Sequence, residues 1–393
     1  MAEKAPVLVL VAVLVALVFA DQAFVGTAPN GSLVLRPAGG QHVLVDGMAF
    51  RSLVHRLEAA ERQLEAQRCR VVADTTTITG LGGVEMWVDG VLAGNGKIYG
   101  IPDNARSVLI IDPTTNVIDT TAMTGFVGPY KWWGGVLAGN GKIYGIPANS
   151  RSVLIIDPDT NATDTSTITG FDGDFKWQGG VLASNGKIYA IPHSSVSVLI
   201  IDPVTNTTDI TTITGLSSGA SKWRGGVLAS NGKIYGVPRS SDSVLIVDPA
   251  TNTTDATTIT GLGASTGLPS RWRGGVLADN GKIYGIPSSA DSVLIIDPAT
   301  NTADTTTIAG ITGSQQWIGG VLAHNGKIYG IPSSSSSVLI IDPSTNQSDL
   351  DTITGLDGLY KWRGGVLARN GKIYGIPSNS ESVLIIKRDC DRL

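Results

Sequence analysis

The chain has 393 residues, 42% of them apolar and 16% charged, with a formal net charge of −4. A balance so near neutrality excludes a strong electrostatic pull on nucleic acid or anionic lipid. The length suits one large domain or two ordinary ones, and 49 glycines suit a turn-dense all-β chain.

Residues 1–20 open with Lys4 and a free amine ahead of an uninterrupted apolar run, Ala5 to Ala20, that closes on Val18-Phe19-Ala20. The run is short for a membrane span and about right for a signal-peptide core. Cleavage as a signal peptide and retention as a signal anchor both stay open. Either places the rest of the chain in an oxidising lumen or outside the cell, secreted or at the cell surface. Any membrane contact would run through residues 5–20 alone.

Residues 21–47 form a spacer, with two candidate short strands, Ser32-Leu33-Val34-Leu35 and His42-Val43-Leu44-Val45, around Pro37-Ala38-Gly39-Gly40. A loose linker is the alternative. Residues 48–68 predict a helix, because Phe50, Leu53, Leu57, Ala60 and Leu64 follow at spacings of three and four. A helix this short is marginal alone, so its stripe needs a cover. The candidates are the rest of the same chain or a second copy in a short homo-oligomeric stalk.

From residue 71 to 393 a W-x-G-G-V-L-A-x-N-G-K-I-Y-G-I-P unit occurs seven times, starting at Trp87, Trp132, Trp177, Trp223, Trp272, Trp317 and Trp362. The unit at Trp362 stops after Ile386 without its closing T-x-I-T-G, and the missing piece stands before the first Trp, as Asp74 to Gly80. A repeat divided between the two ends of an array closes a ring, and repeats near this length rich in short strands mark β-propellers. The expectation is an all-β, seven-bladed β-propeller in which residues 71–81 complete the last blade. Each unit predicts four strands: strand A at Gly134 to Ala138, B at Lys142 to Pro147, C at Ser152 to Asp157 and D at Asp164 to Gly170. Asn-Gly between A and B, as at Asn140-Gly141, predicts a type I′ hairpin. Asp-Pro-x-Thr-Asn between C and D predicts a type I turn. The constant Trp and Tyr are expected to pack between blades.

These units resemble the YVTN and NHL type of propeller repeat. Gly179-Gly180-Val181-Leu182-Ala183, Asn185-Gly186-Lys187-Ile188-Tyr189 and Val198-Leu199-Ile200-Ile201-Asp202-Pro203 follow that order. The longer W-x-G-G-V-L-A-x-N-G-K-I-Y-G-I-P form is also similar to repeat arrays of unicellular algae and other protists. The paired glycines resemble kelch repeats, although the order of motifs fits kelch less well. The resemblance implies that strand A lines the central channel and strand D the rim. The D–A and B–C loops then share one face, the top, and the A–B and C–D turns the other. It speaks for architecture, since propellers host many unrelated functions.

Function is expected on the top, where the units differ. The residues after the repeat Trp include Trp133, Gln178, Arg224, Arg273 and Arg363; those after the strand-B proline include Asp103, His193 and Arg239. These eight are the candidate ligand contacts, for a protein or glycan partner. Three arginines in one phase favour an acidic ligand, a carboxylate or a sulfated glycan. No catalytic residue, metal ligand or cofactor site is expected. His193 and His324 fall in different phases of the repeat, and strand A offers the channel only Gly, Val, Leu and Ala. A binding or scaffold module is the first expectation. A lactonase-like or lyase-like propeller hydrolase with its site at the channel mouth is the second. Five sequons, at Asn30, Asn161, Asn206, Asn252 and Asn346, offer glycosylation sites, four of them in the C–D turn. Cys69 and Cys390 fall at neighbouring positions of the one C–D turn that is cut, and predict a disulfide that replaces the missing peptide link.

Overall fold

The computed structural model describes residues 24–27, 33–36, 43–45, 69–263 and 270–390. They fall into two units, one of residues 71–388 and one drawn from the segments on either side. The apolar run at 5–20, the helix expected at 48–68 and the sequon at Asn30 lie outside the described residues. No helix among the described residues is long and apolar enough to cross a membrane.

In the flanking unit, β1 (Phe24–Thr27), β2 (Leu33–Arg36) and β3 (Val43–Val45) make an antiparallel meander with Gly26 opposite Val34 and Leu33 opposite Val45. The last two are the candidate strands of the spacer. β1 is an addition.

Residues 71–388 form seven four-stranded antiparallel sheets, each wound A-B-C-D from centre to rim. In the second blade these strands are Trp132–Leu137, Ile143–Pro147, Leu154–Asp157 and Ala162–Asp164. Each strand A neighbours the strand A of the next blade, and Trp362–Leu367 of the last neighbours Trp87–Leu92 of the first. The ring is closed.

Strands B and C carry apolar residues in succession because both faces of a blade are covered. Between the first two blades Tyr99, Ile101, Val108 and Ile110 meet Trp132, Ile143, Leu154 and Ile156, all buried. Each repeat Trp is shut into such a seam and donates its indole N–H to a B–C loop carbonyl, as Trp177 does to Ser197 at 2.8 Å. Six of the seven repeat Tyr hydroxyls bond the C–D turn of the next blade, as Tyr189 Oη does in donating to Asn252 Oδ1 at 2.8 Å; Tyr329 faces the blade whose turn is cut and accepts from Asn325 of its own. The constant residues are thus the mortar between blades.

Two local expectations are corrected. Strand D lies earlier than the threonine-rich segment and ends on the Asp. Asp164 Oδ1 accepts from the amides of Ser166 at 2.7 Å and Thr167 at 3.1 Å. A short side chain that bonds amides two and three residues on turns the chain out of the ladder. The T-x-I-T-G that follows keeps only single bridges such as Ser152↔Thr169, while Ile168 tucks into the seam. The A–B turn is not type I′: Gly141 is left-handed (φ 80°) but Asn140 is not. The Gly141 amide bonds Ala138 O at 3.0 Å and the Ala138 amide bonds Lys142 O at 2.9 Å. That is a type I turn followed by a left-handed glycine bulge. It frees the Asn140 side chain to reach Pro203 O of the next blade, at 2.9 Å.

The last blade is completed by β4 (Arg70–Asp74), paired outside Leu384–Asp389. The strand exchange is as expected; its strand lies nearer the N-terminus than Asp74 to Gly80, for the reason just given. Where other blades turn at Asp-Pro, these two strands run on. Lys387 takes the place of the turn Asp and pairs with Asp74 at 2.9 Å. Cys69 and Cys390 are joined by a disulfide, with Cα atoms 4.1 Å apart, across open strand ends rather than within a turn.

Candidate functional site

The centre of the ring is built from backbone. In six blades the first glycine of the pair, Gly134, Gly179, Gly225, Gly274, Gly319 and Gly364, has φ between 73° and 93°. A Cβ on Gly179 would stand 2.9 Å from the Cα of Gly225, and one on Gly134 3.1 Å from that of Gly179. The glycines touch from blade to blade and close the channel, an approach that any side chain would block. The first blade reads Trp-Val-Asp-Gly instead. Asp89 takes the seventh place, left-handed at φ 61°. Strand A therefore does bring a carboxylate to the channel, against expectation. The signal was present as one departure from the repeat. Asp89 is half-buried, and its Oδ1 accepts from the Gly90 amide at 2.9 Å. Burial pushes its pKa up to about 6, against the pull of Arg224.

Over this floor Trp133, Gln178, Arg224 and Arg273, with Val88 and Ile318, line a cavity of about 90 Å³ that also holds Asp89. The expected residues come together here and just above. Gln178, in the amide orientation that satisfies both groups, accepts from Arg224 Nε at 2.8 Å and Nη2 at 3.0 Å. Trp133 lies under the Arg224 guanidinium, 6.0 Å from ring centre to carbon, and donates its Nε1–H to Asp103 at 3.0 Å. Arg273 donates to Ser270 Oγ at 3.0 Å and Gln315 Oε1 at 3.3 Å. Arg363 stands apart in role. It pairs with Glu85 and, at 3.4 Å, with Asp103, so its charge is met from within.

A third tier was not legible. The residue two before each repeat Trp is left-handed in all seven blades without being glycine: Glu85, Tyr130, Phe175, Ser221, Ser270, Gln315 and Tyr360, with φ between 50° and 74°. Each such residue costs about 1–2 kcal/mol, and strain of this kind gathers at functional sites. The tier divides by chemistry. Tyr130 and Phe175 stand beside Trp133 with ring centres 6.1 and 5.1 Å from it, an aromatic shelf on one side of the mouth. In five blades a buried Lys or Arg just before the Trp holds this loop: Lys131 Nζ donates to Asp103 O at 2.7 Å and Gly128 O at 2.9 Å.

The electrostatics follow from burial. His193, against Trp133, accepts through Nε2 from Arg239 at 3.4 Å while Nδ1 faces Phe175 O at 3.2 Å. Burial, then Arg239 and Arg224, push its pKa down to about 3, so it is neutral and orients Arg239. Asp103 is fully buried, and burial drives its pKa up to about 7 against Arg363. Burial and the neighbouring guanidinium groups lower Arg224, and Arg273 to about 9. No carboxylate of the described residues pairs with Arg224, Arg239 or Arg273. The Nε–H groups of Arg239 and Arg273 reach no acceptor among the described residues. No group of three or more His, Cys, Asp or Glu that could hold a metal occurs among the described residues.

The sequons Asn161, Asn206, Asn252 and Asn346 sit with φ from 52° to 55° in the turns of the opposite face. His324 is also on that face, near Gly371.

A channel closed by backbone under a polar mouth defines a cup on a seven-bladed propeller. The fold is similar to that of streptogramin B lyase, with a TM-score of 0.63 and 10% identity over 82% of this chain and 98% of that one. It is similar also to the extracellular domain of a one component system of B. thetaiotaomicron, with a TM-score of 0.56 and 10% identity over 92% of this chain and 46% of the other. An auxiliary nutrient binding protein from Bacteroides ovatus matches with a TM-score of 0.51 and 11% identity, over 82% of this chain and 77% of its own. No protein-family model and no curated protein sequence matches the chain. At such identities the likeness is one of fold, shared by a lyase and a nutrient binding protein alike.

Proposed function

We propose that this chain is a secreted or cell-surface binding propeller that takes an anionic ligand, a carboxylate or a sulfated glycan, at the mouth framed by the D–A and B–C loops. One observation carries the reading: Arg224, Arg239 and Arg273 converge there, Arg273 only 6% exposed, with no carboxylate partner among the described residues. A buried charge without a counter-charge costs several kcal/mol, and an anion would remove that cost. The disulfide supports an oxidising compartment. The strand order G-V-L-A, N-G-K-I-Y and V-L-I-I-D supports a YVTN/NHL-like repeat. Glycans on the four turn sequons would lie on the face away from the mouth.

The test is calorimetric titration with propionate and with a sulfated disaccharide. Replacing Arg239 and Arg273 together with Ala is expected to weaken the ligand that binds by at least tenfold. Lys187→Ala, on the opposite face, leaves it unchanged. Equal affinity in the double variant refutes the site. A second reading, a lyase or hydrolase at the same mouth, is supported by Asp89, a carboxylate in the cavity whose raised pKa suits a general base near neutrality. Mass spectrometry of the ligand after incubation separates the two readings, since binding returns it unchanged.

A further inference from the structure

The anion reading leaves Asp89 unused. Glycine at its position would match the other six blades and avoid the left-handed strain. Yet the chain holds a carboxylate there whose only hydrogen bond among the described residues is from its own neighbour, Gly90. No side chain among the described residues donates to it. Asp89 shares the cavity with Arg224, Arg273 and Trp133, so a ligand that enters meets an acceptor at the floor and guanidinium donors on the wall. Arg273 has a buried Nε–H with no partner among the described residues. A simple anion would satisfy the wall and be repelled by the floor; a simple cation would meet the reverse. About 90 Å³ is the space of roughly three waters, enough for a charged head group but not for a large ligand. The half-buried shelf of Tyr130, Trp133 and Phe175 leads outward from it.

We propose that the ligand is a zwitterion, an α-amino acid with an apolar side chain. Its carboxylate lies against Arg273 and Arg224, its ammonium on Asp89, and its side chain along Trp133. The inference rests on the anion reading above, and its test separates the two. Isothermal titration of the whole chain uses phenylalanine, 3-phenylpropionate, which lacks only the ammonium, and phenethylamine, which lacks only the carboxylate. Phenylalanine is expected to bind at least tenfold more tightly than either. In Asp89→Gly, which restores the residue of the other six blades, phenylalanine should fall to the level of 3-phenylpropionate, which itself binds no worse than before. Asp89→Asn, which keeps the side chain's size, should do the same. If 3-phenylpropionate matches phenylalanine in the unaltered protein, or if phenylalanine is indifferent to both substitutions, the zwitterion is refuted and the anion site stands. If neither carboxylate binds, the zwitterion is refuted, and the anion reading falls with it unless the sulfated disaccharide binds.

Discussion

The clasp at Cys69–Cys390 allows a quantitative test of how the ring is held. The bond spans a sequence separation of 321, almost the whole propeller. Replacing both cysteines with Ser leaves the ladder between Arg70–Asp74 and Leu384–Asp389 and the Lys387–Asp74 ion pair in place. The folded ring should therefore persist, and the change should fall on the unfolded chain, whose ends are released. The chain-entropy relation gives about 5.8 kcal/mol at 25 °C for a loop of this length, an upper figure because real disulfides often deliver less. At about 2.1 cal/mol/K of unfolding entropy per residue, a propeller of this size has roughly 0.7 kcal/mol/K, so the midpoint should fall by about 8 °C. Differential scanning calorimetry of the unaltered and double-Ser proteins at one scan rate reads the shift. Adding reductant to the unaltered protein should reproduce it. A drop under about 2 °C with an unchanged folded state would show that the strand pair alone closes the ring.

The central ring predicts a contrast between two glycines of one blade. Gly179→Ala puts a Cβ 2.9 Å from Gly225 Cα and keeps φ at 75°, whereas Gly186→Ala, at φ 78°, meets nothing within 4 Å. The turn variant should lose about 1–2 kcal/mol and the ring variant several more; equal losses in urea unfolding would deny close blade-to-blade contact. The rim predicts a pH dependence. Hydrogen bonds from Thr167 and Ser166 hold the pKa of Asp164 at about 2, below the ordinary carboxylate range. A depressed carboxylate contributes stability above its unfolded pKa and loses it as pH falls through the folded one. Asp164→Ala should therefore cost about 1 kcal/mol at pH 7, narrowing between pH 4 and 2, and a gap independent of pH would refute the assignment.

Much of the architecture could be read because a repeat states each rule seven times. Apolar residues in succession at Leu154–Asp157 required cover on both faces, and the divided last unit required a ring. What misled was local chemistry that periodicity does not encode. The threonines after Asp164 suit a strand by propensity, but the Asp carboxylate captures their amides and ends the strand first. Asn140-Gly141 suits a type I′ hairpin, but the Asn side chain has a better partner in the next blade, and the turn changes to provide it. The left-handed tier from Glu85 to Tyr360 was hidden because its residue types, Tyr, Phe, Gln and Glu among them, give no hint of positive φ.

Asp89 was hidden for the opposite reason. Its residue type is informative, but reading the units by their consensus averages it away. The physics of the position restores its weight. Where a site tolerates any side chain, one departure among seven units carries little meaning. At the glycine ring, backbone meets backbone at van der Waals distance, and any side chain requires room, strain or both. The ring is as close at this blade as elsewhere: a Cβ on the neighbouring Gly364 would stand 2.8 Å from the Cα of Asp89. The arginines above it follow the same logic in charge: Arg224 and Arg273 are buried beside one another with the nearest ion pair committed to Arg363. Two departures that each cost stability, opposite in sign and facing one cavity, are more simply explained by one ligand carrying both charges than by two unrelated accidents of the repeat.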